Sequence, residues 1–239
     1  MFFVMELLLP RLISTKYGVS GFFCKLLLIV TIFLTALPTK VSAEYKISFF
    51  GDSLVQGFGL YPEDGMVSQM QEWLDQRNVP IKLTNSGVSG DTTAGGKARI
   101  SWTLQEGFDG IIILLGGNDL LRGIDVGESR NNLRAILEVT AENKLPTLLV
   151  GHEAPSNYGQ DYKAEFEQIF HELSNEFDLI LFPRIFDPID RLGSREEVRE
   201  IYLQDDLLHP NREGVHKIVN ELGPYVLELM EVIKESRHQ

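Results

Sequence analysis

The stretch Tyr45-Lys46-Ile47-Ser48-Phe49-Phe50-Gly51-Asp52-Ser53-Leu54 decides how the rest of the chain is read. Apolar and aromatic residues from Tyr45 to Phe50 predict a buried strand, and Gly51 permits a sharp exit that leaves Ser53 at the strand's carboxyl end. Open α/β sheets keep their chemistry at that end. A serine there becomes a nucleophile when a histidine takes its proton, a third group orients that histidine, and N–H donors meet the developing oxyanion.

Downstream, strands and helices alternate. Leu54 to Asp64 reads as a loop, and Gly65 to Asn78 as a helix whose Met66, Val67, Met70, Trp73 and Leu74 share one buried face. A second strand starts at Pro80 to Leu83 and runs out in Asn85-Ser86-Gly87-Val88-Ser89-Gly90-Asp91-Thr92, where Asp91 or Thr92 would cap a helix reaching about Glu106. Gly110 to Leu115 is a continuous apolar run of the kind that fills a parallel sheet covered on both faces, and it stops at Gly116-Gly117-Asn118-Asp119. A helix over 128–143, a strand over 146–151, a helix over 162–176 and a short strand over 179–182 follow. From Pro183 to Pro210 the pattern weakens, with one helix near Ser194 to Tyr202. Asn211 would cap a last amphipathic helix that Gly223-Pro224 should interrupt or kink. Such alternation predicts an α/β, three-layer α/β/α sandwich around a five-stranded parallel sheet in the flavodoxin-like order 2-1-3-4-5. In that order Ser53, Gly90 and Asn118 come together at the switch point.

The 239 residues, 44% of them hydrophobic, are enough for one substantial core and few for two. Residues 1–43 carry Arg11, Lys16, Lys25 and Lys40 against Glu6; the chain's net charge of −12 therefore becomes −15 over 44–239. So negative a body argues against nucleic acid as a partner. The apolar run Leu26 to Leu37 is short for a bilayer span and ends in Pro38 and Val41-Ser42-Ala43, the pattern of an export signal cut after Ala43. The expected layout is a signal peptide at 1–43 and one domain at 44–239, exported to a periplasm, monomeric, with no stable membrane insertion once cleaved. Cys24 is the only cysteine and lies in the leader. The mature chain then has no disulfide, thiolate nucleophile or cysteine-bound metal.

His209 follows Asp206 by three positions and precedes Pro210, which biases it away from helix. One short turn would let Asp206 fix the histidine's tautomer while the other ring nitrogen faces Ser53 as general base. Asp205 is a rival at a spacing of four. Backbone N–H groups of Ser53 and Gly90 with the Asn118 amide suit the oxyanion. Asp52 and Asp119 read as loop braces. His152 is the nearest alternative base; His171 and His216 fall in predicted helices and His238 in the tail.

Gly51-Asp52-Ser53-Leu54, Ser89-Gly90-Asp91-Thr92, Leu115-Gly116-Gly117-Asn118-Asp119 and Asp206-Leu207-Leu208-His209-Pro210-Asn211 resemble, in order and spacing, the four blocks of the SGNH, or GDSL, hydrolases. Leu121-Arg122-Gly123, Pro155-Ser156-Asn157-Tyr158-Gly159, Glu176-Phe177-Asp178 and Gln204-Asp205-Asp206 narrow the likeness to that family's multifunctional thioesterase, lysophospholipase and arylesterase members. The resemblance implies a catalytic triad of Ser53, Asp206 and His209 and an oxyanion hole of Ser53, Gly90 and Asn118. It further implies hydrolysis of small-molecule acyl esters, thioesters and lysophospholipids, with no metal and no cofactor. Leu207 stands where the family usually has glycine, which bears on the triad loop, the pocket wall and acyl preference.

Two other readings use the same residues. A metal-dependent phosphoesterase would take Asp52, Asn118, Asp119, His152 and His209 as ligands, but the usual Asp-x-His opener is missing. A non-catalytic exported lipid carrier would leave the coincidence of Ser53, Gly90, Asn118, Asp206 and His209 unexplained.

Overall fold

The computed structural model describes residues 44–154 and 158–237. The expected export signal, and Pro155, Ser156 and Asn157, lie outside the described residues. Five strands, β1 (Tyr45–Gly51), β2 (Ile81–Gly87), β3 (Gly110–Leu114), β4 (Thr147–Val150) and β5 (Ile180–Phe182), form one parallel sheet in the order β2-β1-β3-β4-β5. Nine α-helices are described: α1 (Ser53–Gln56), α2 (Met66–Asp75), α3 (Thr93–Thr103), α4 (Gly117–Arg122), α5 (Val126–Glu142), α6 (Gln160–Phe177), α7 (Asp187–Asp190), α8 (Arg195–Tyr202) and α9 (Arg212–Ser236).

The strands are apolar on both faces because each face has its own core. Ile47, Phe49, Ile112, Leu114, Leu148 and Val150 pack with Met66, Met70, Trp73 and Leu74 of α2 and with the apolar stripe of α9. Phe50, Ile111, Ile113 and Leu149 point the other way, against Ile100 of α3, Leu133, Ile136 and Leu137 of α5, and Phe166, Ile169 and Phe170 of α6. This is the helix-covered parallel sheet that continuous apolar runs call for.

The pairing also sets where the chemistry can occur. Gly51 sits beside Gly87 in β2 and Leu114 in β3, so the three strands end level. Ser53, Gly90 and Asn118 follow those ends by two, three and four residues respectively.

Several expectations are corrected. The loop expected over Leu54 to Asp64 begins instead within the single turn α1, capped by Asp52, whose Oδ1 accepts the Leu54 N–H at 3.0 Å. After the strand stop at Gly116 to Asp119, where no helix is expected before 128, Gly117 to Arg122 is helical, and α7 adds a turn after β5. Of the two caps expected for the helix after β2, Thr92 is the one used, and the Asp91 carboxylate pairs with Arg99 instead. Helix α9 runs unbroken through Pro224. Its residues Val215, Ile218, Val219 and Leu222 before the proline, and Val226, Leu229, Met230 and Ile233 after it, are all buried. That shared burial outweighs a cost of about 3 kcal/mol for proline inside a helix. Gly223 serves packing: a Cβ there would come within 2.6–2.7 Å of the Trp73 ring, so its bare Cα lets α9 close on α2.

Candidate active site

One half of the site is built from strand ends. Ser53 opens α1 directly after the buried Asp52. Asn118, in the first turn of α4, donates from Nδ2 to Asp52 Oδ2 at 3.2 Å, which leaves its second N–H free. Gly90 has φ of +81°, a left-handed conformation that adds a second reason for glycine there besides an unobstructed approach. Its carbonyl accepts from Arg122 Nη2 at 2.7 Å. Arg99 fastens this half together. It donates to Gly51 O at 2.9 Å, to Ser86 O at 3.0 Å and to Asp91 Oδ2 at 2.6 Å, with its guanidinium 3.8 Å from the centre of the Phe50 ring. Asp119, expected as a brace, is one: buried, it accepts from Thr93 N at 2.8 Å, Thr93 Oγ1 at 2.6 Å and Ser129 Oγ at 3.1 Å.

The other half is a loop between α8 and α9. A lone antiparallel bridge pairs Leu203 with Pro210, and Gln204 N–H donates to His209 O at 2.8 Å, so the segment folds back on itself. Within the turn, Asp206 Oδ1 accepts the N–H groups of Leu208 and His209, each at 2.9 Å. Asp206 Oδ2 lies 2.6 Å from His209 Nδ1, and His209 Nε2 lies 2.8 Å from Ser53 Oγ. Two residues 156 positions apart are thus joined. Partial burial of Asp206 works to raise its carboxyl pKa, but these N–H donors and the imidazole hold it below the usual carboxylate range. Leu207 sits at the apex with φ of +56°, a left-handed position that accounts physically for glycine at this place in the resembling family.

Hydrogen bonds join Ser53, His209 and Asp206, and Gly90 and Asn118 lie just past the ends of the strands that flank β1. Asp206, not Asp205, holds the imidazole. His152 is buried under the strand ends instead of reaching Ser53, and its burial lowers its pKa to about 4. Burial likewise raises Asp52 to about 6, against the N–H donors of Leu54 and Asn118. Among the described residues no group of three or more His, Cys, Asp or Glu side chains is arranged to hold a metal ion.

Four contributors have no role assigned from the sequence, although Arg122 and Gln204 stand in the motifs quoted above. Gln204 Nε2 donates to Phe58 O at 2.9 Å and Pro210 O at 3.0 Å, tying the histidine loop to the segment after Ser53. The Phe58 ring packs on His209 with centroids 4.9 Å apart. Arg99 and Arg122 complete the set. Three of them act through backbone carbonyls far away in sequence, so no spacing reveals them.

A hydroxyl, an imidazole and a carboxylate in a hydrogen-bonded line, beside amide donors, can carry a proton off the hydroxyl while it attacks a carbonyl. Comparison with known proteins points the same way. Residues 49–217 match the GDSL-like Lipase/Acylhydrolase family. The chain is 31% identical over 186 residues to thioesterase 1/protease 1/lysophospholipase L1 of Escherichia coli K12, covering 77% of this chain and 84% of that protein. Among solved structures it is similar to AlinE4, an SGNH-hydrolase family esterase, at 34% identity and a TM-score of 0.64, covering 79% of this chain and 98% of that one. It is also similar to the psychrotrophic esterase EstA from Pseudoalteromonas sp., solved inhibited by monoethylphosphonate, at 28% identity and a TM-score of 0.71, covering 79% and 100%. With that extent of match added to the sheet order and the level strand ends, the chain belongs to the GDSL-like lipase/acylhydrolase family and is an SGNH-type ester hydrolase.

Proposed function

We propose that the protein hydrolyses esters and thioesters of acyl chains through an acyl-enzyme on Ser53. The observation that carries this reading is the line Ser53 Oγ, His209 Nε2, His209 Nδ1, Asp206 Oδ2, with contacts of 2.8 and 2.6 Å, beside the strand ends that bear Gly90 and Asn118. His209 takes the Ser53 proton on Nε2 as Oγ bonds to the substrate carbonyl carbon. The carbonyl oxygen becomes an oxyanion that meets the N–H groups of Ser53 and Gly90 and the free Nδ2–H of Asn118. Collapse breaks the bond to the leaving alcohol or thiol, which receives the proton from His209. Water then repeats the sequence and frees the acid. Asp206 stays ionised and supports the imidazolium throughout.

The surroundings favour acyl groups. Phe58, Val88, Leu121, Tyr158, Leu207 and Leu208 are all exposed apolar side chains on segments that border the mouth. Thioesterase, lysophospholipase and arylesterase activities fit such a rim. The working enzyme is expected to be residues 44–239, exported and released from its leader after Ala43, monomeric and without cofactor; no described helix is long and apolar enough to cross a membrane.

The test measures kcat/KM of the 44–239 form and of Ser53→Ala over matched acyl thioesters, aryl esters and lysolipids. Loss of about 10⁴-fold or more on every class is expected, with retained product binding. Unchanged turnover in the alanine variant would leave a carrier or a different nucleophile.

A further inference from the structure

His152 is used by none of the steps above, yet it lies directly beneath them. It follows β4 by two residues, is 3% exposed, and packs its ring against Phe170 of α6 with centroids 6.3 Å apart. Its Nε2 is buried and has no hydrogen-bond partner among the described residues. A plain core position would be filled at lower cost by leucine or methionine, since an unpaired buried polar atom carries a desolvation penalty.

What that nitrogen faces is set by Gly117. A Cβ built there would stand 3.2 Å from His152 Cε1, 3.7 Å from His152 Nε2 and 3.3 Å from Asp52 Oδ2. The imidazole edge and the carboxylate oxygen therefore both lie against the bare Cα of Gly117, with no hydrogen bond between them. That same Oδ2 accepts the Asn118 amide, while Oδ1 is taken by Leu54 N–H. Asn118 presents its second N–H to the site only while the first is held.

We propose that His152 is a positioning residue for the reaction: its neutral ring, protonated on Nε2, lies across Gly117 from the Asp52 carboxylate, and its N–H dipole favours the ionised form without a direct hydrogen bond. Asp52 in turn keeps the Asn118 amide aimed at the oxyanion. A carboxylate accepts this amide more strongly than the neutral acid does. The other groups around Asp52 are His209, which favours its ionisation, and Asp91, which opposes it while paired with Arg99 of α3. Against His152 lie Gly116 and Gly117 from the β3 exit and Phe170 from α6. The neighbouring Glu153 is paired with Lys163, which also bonds Ala154 O at 2.9 Å; Ala154 N–H donates to Glu167. The proposal rests on Asn118 being an oxyanion donor, and Asn118→Ala tests that separately through kcat.

Four variants separate positioning from packing: His152→Gln, which keeps an N–H donor, His152→Leu, which fills the space without one, Asp52→Asn, and the double variant of the last two. Each is assayed on a p-nitrophenyl ester from about pH 5 to about pH 9, with active sites counted by a fluorophosphonate. His152→Leu should lower kcat about tenfold with KM within about twofold, and move the acid limb upward; His152→Gln should stay within about threefold of the parent. In the Asp52→Asn background, His152→Leu should add nothing. Identical kcat and acid limb for the leucine, glutamine and parent proteins would overturn the proposal, and so would a leucine effect that persists without the Asp52 carboxylate. If His152→Leu does not fold, His152→Met makes the same comparison with glutamine. Should Asn118→Ala leave kcat intact, the oxyanion assignment fails whatever the His152 variants do.

Discussion

Asp52 precedes Ser53 by one residue, and Asp206 reaches it only through His209, yet the two carboxylates live in opposite surroundings. Asp52 is 1% exposed at the end of β1, and burial pushes it up to about 6. The side chain of Asp206 is 37% exposed in a turn whose own N–H groups hold it in the ionised form. In the proposed mechanism, closeness to Ser53 thus does not choose the orienting group. A carboxylate that must support an imidazolium belongs where charge is cheap, and one that braces an amide can be buried. The two halves of the site differ in the same way: the strand-end half is part of the sheet, and the histidine half hangs on a few bonds made by Gln204, Asp206 and Asn211.

The comparison is tested most severely at its exposed side. Asp206→Asn should lower kcat by roughly 10³–10⁴-fold with little change in KM or unfolding, because it alters the tautomer and charge at His209 and little packing. If Asp52→Asn costs more turnover than Asp206→Asn, the assignment of the two carboxylates is reversed.

Stability against pH probes the buried side. The folded-state pKa of Asp52 lies above its ordinary 3.8, so the native state takes up that proton first as pH falls below about 6, and this contribution favours folding on acidification. His152, at about 4 instead of 6.5, acts in reverse: the unfolded chain is protonated first, and this contribution opposes folding as pH falls. Each displacement is worth on the order of 3 kcal/mol, so between about pH 6 and about pH 4 the two largely cancel. In urea unfolding across that range, Asp52→Asn should lose stability on acidification and His152→Leu should gain it. Parent-like profiles for both would mean that neither group is as buried as described. Asp206, with its lowered pKa, supports folding above the ordinary carboxylate value and loses that support only as pH falls through its lower folded value.

The smallest effect is expected at Leu207. Relieving its left-handed backbone is worth about 1 kcal/mol, and glycine's extra freedom in the unfolded chain returns most of that. Leu207→Gly should therefore change stability by less than about 1 kcal/mol and turnover by under about threefold. A larger loss, read from the urea midpoint, would show that the exposed leucine packs on something the turn requires.

What the sequence makes legible follows the same division. Ile111 to Leu114 could only be a doubly covered strand, and such strands in alternation with helices fix the order that gathers Ser53, Gly90 and Asn118. Asp206 and His209 are legible because three residues and a proline confine them to one turn. Helix α4 is not, since Gly117-Asn118-Asp119 reads as a turn until Asn118 and Asp119 have their distant partners, Asp52 and Thr93. Pro224 misleads because local propensity says break, whereas the buried stripe on both sides says continue. Arg99, Arg122 and Gln204 bind carbonyls, which every residue has. The burial of His152 depends on Gly117 and Phe170 arriving from other elements, and no period in an exit loop announces it.

The central claim is that the Ser53 hydroxyl is the group His209 activates. Treating the 44–239 form with a fluorophosphonate and mapping the product by mass spectrometry addresses it most directly. The account predicts one phosphonyl group per chain on the Ser53 peptide, none in Ser53→Ala, and labelling slowed by about a hundredfold or more in His209→Ala. An adduct on another residue, or ester hydrolysis at the parent rate with Ser53 replaced, would contradict it.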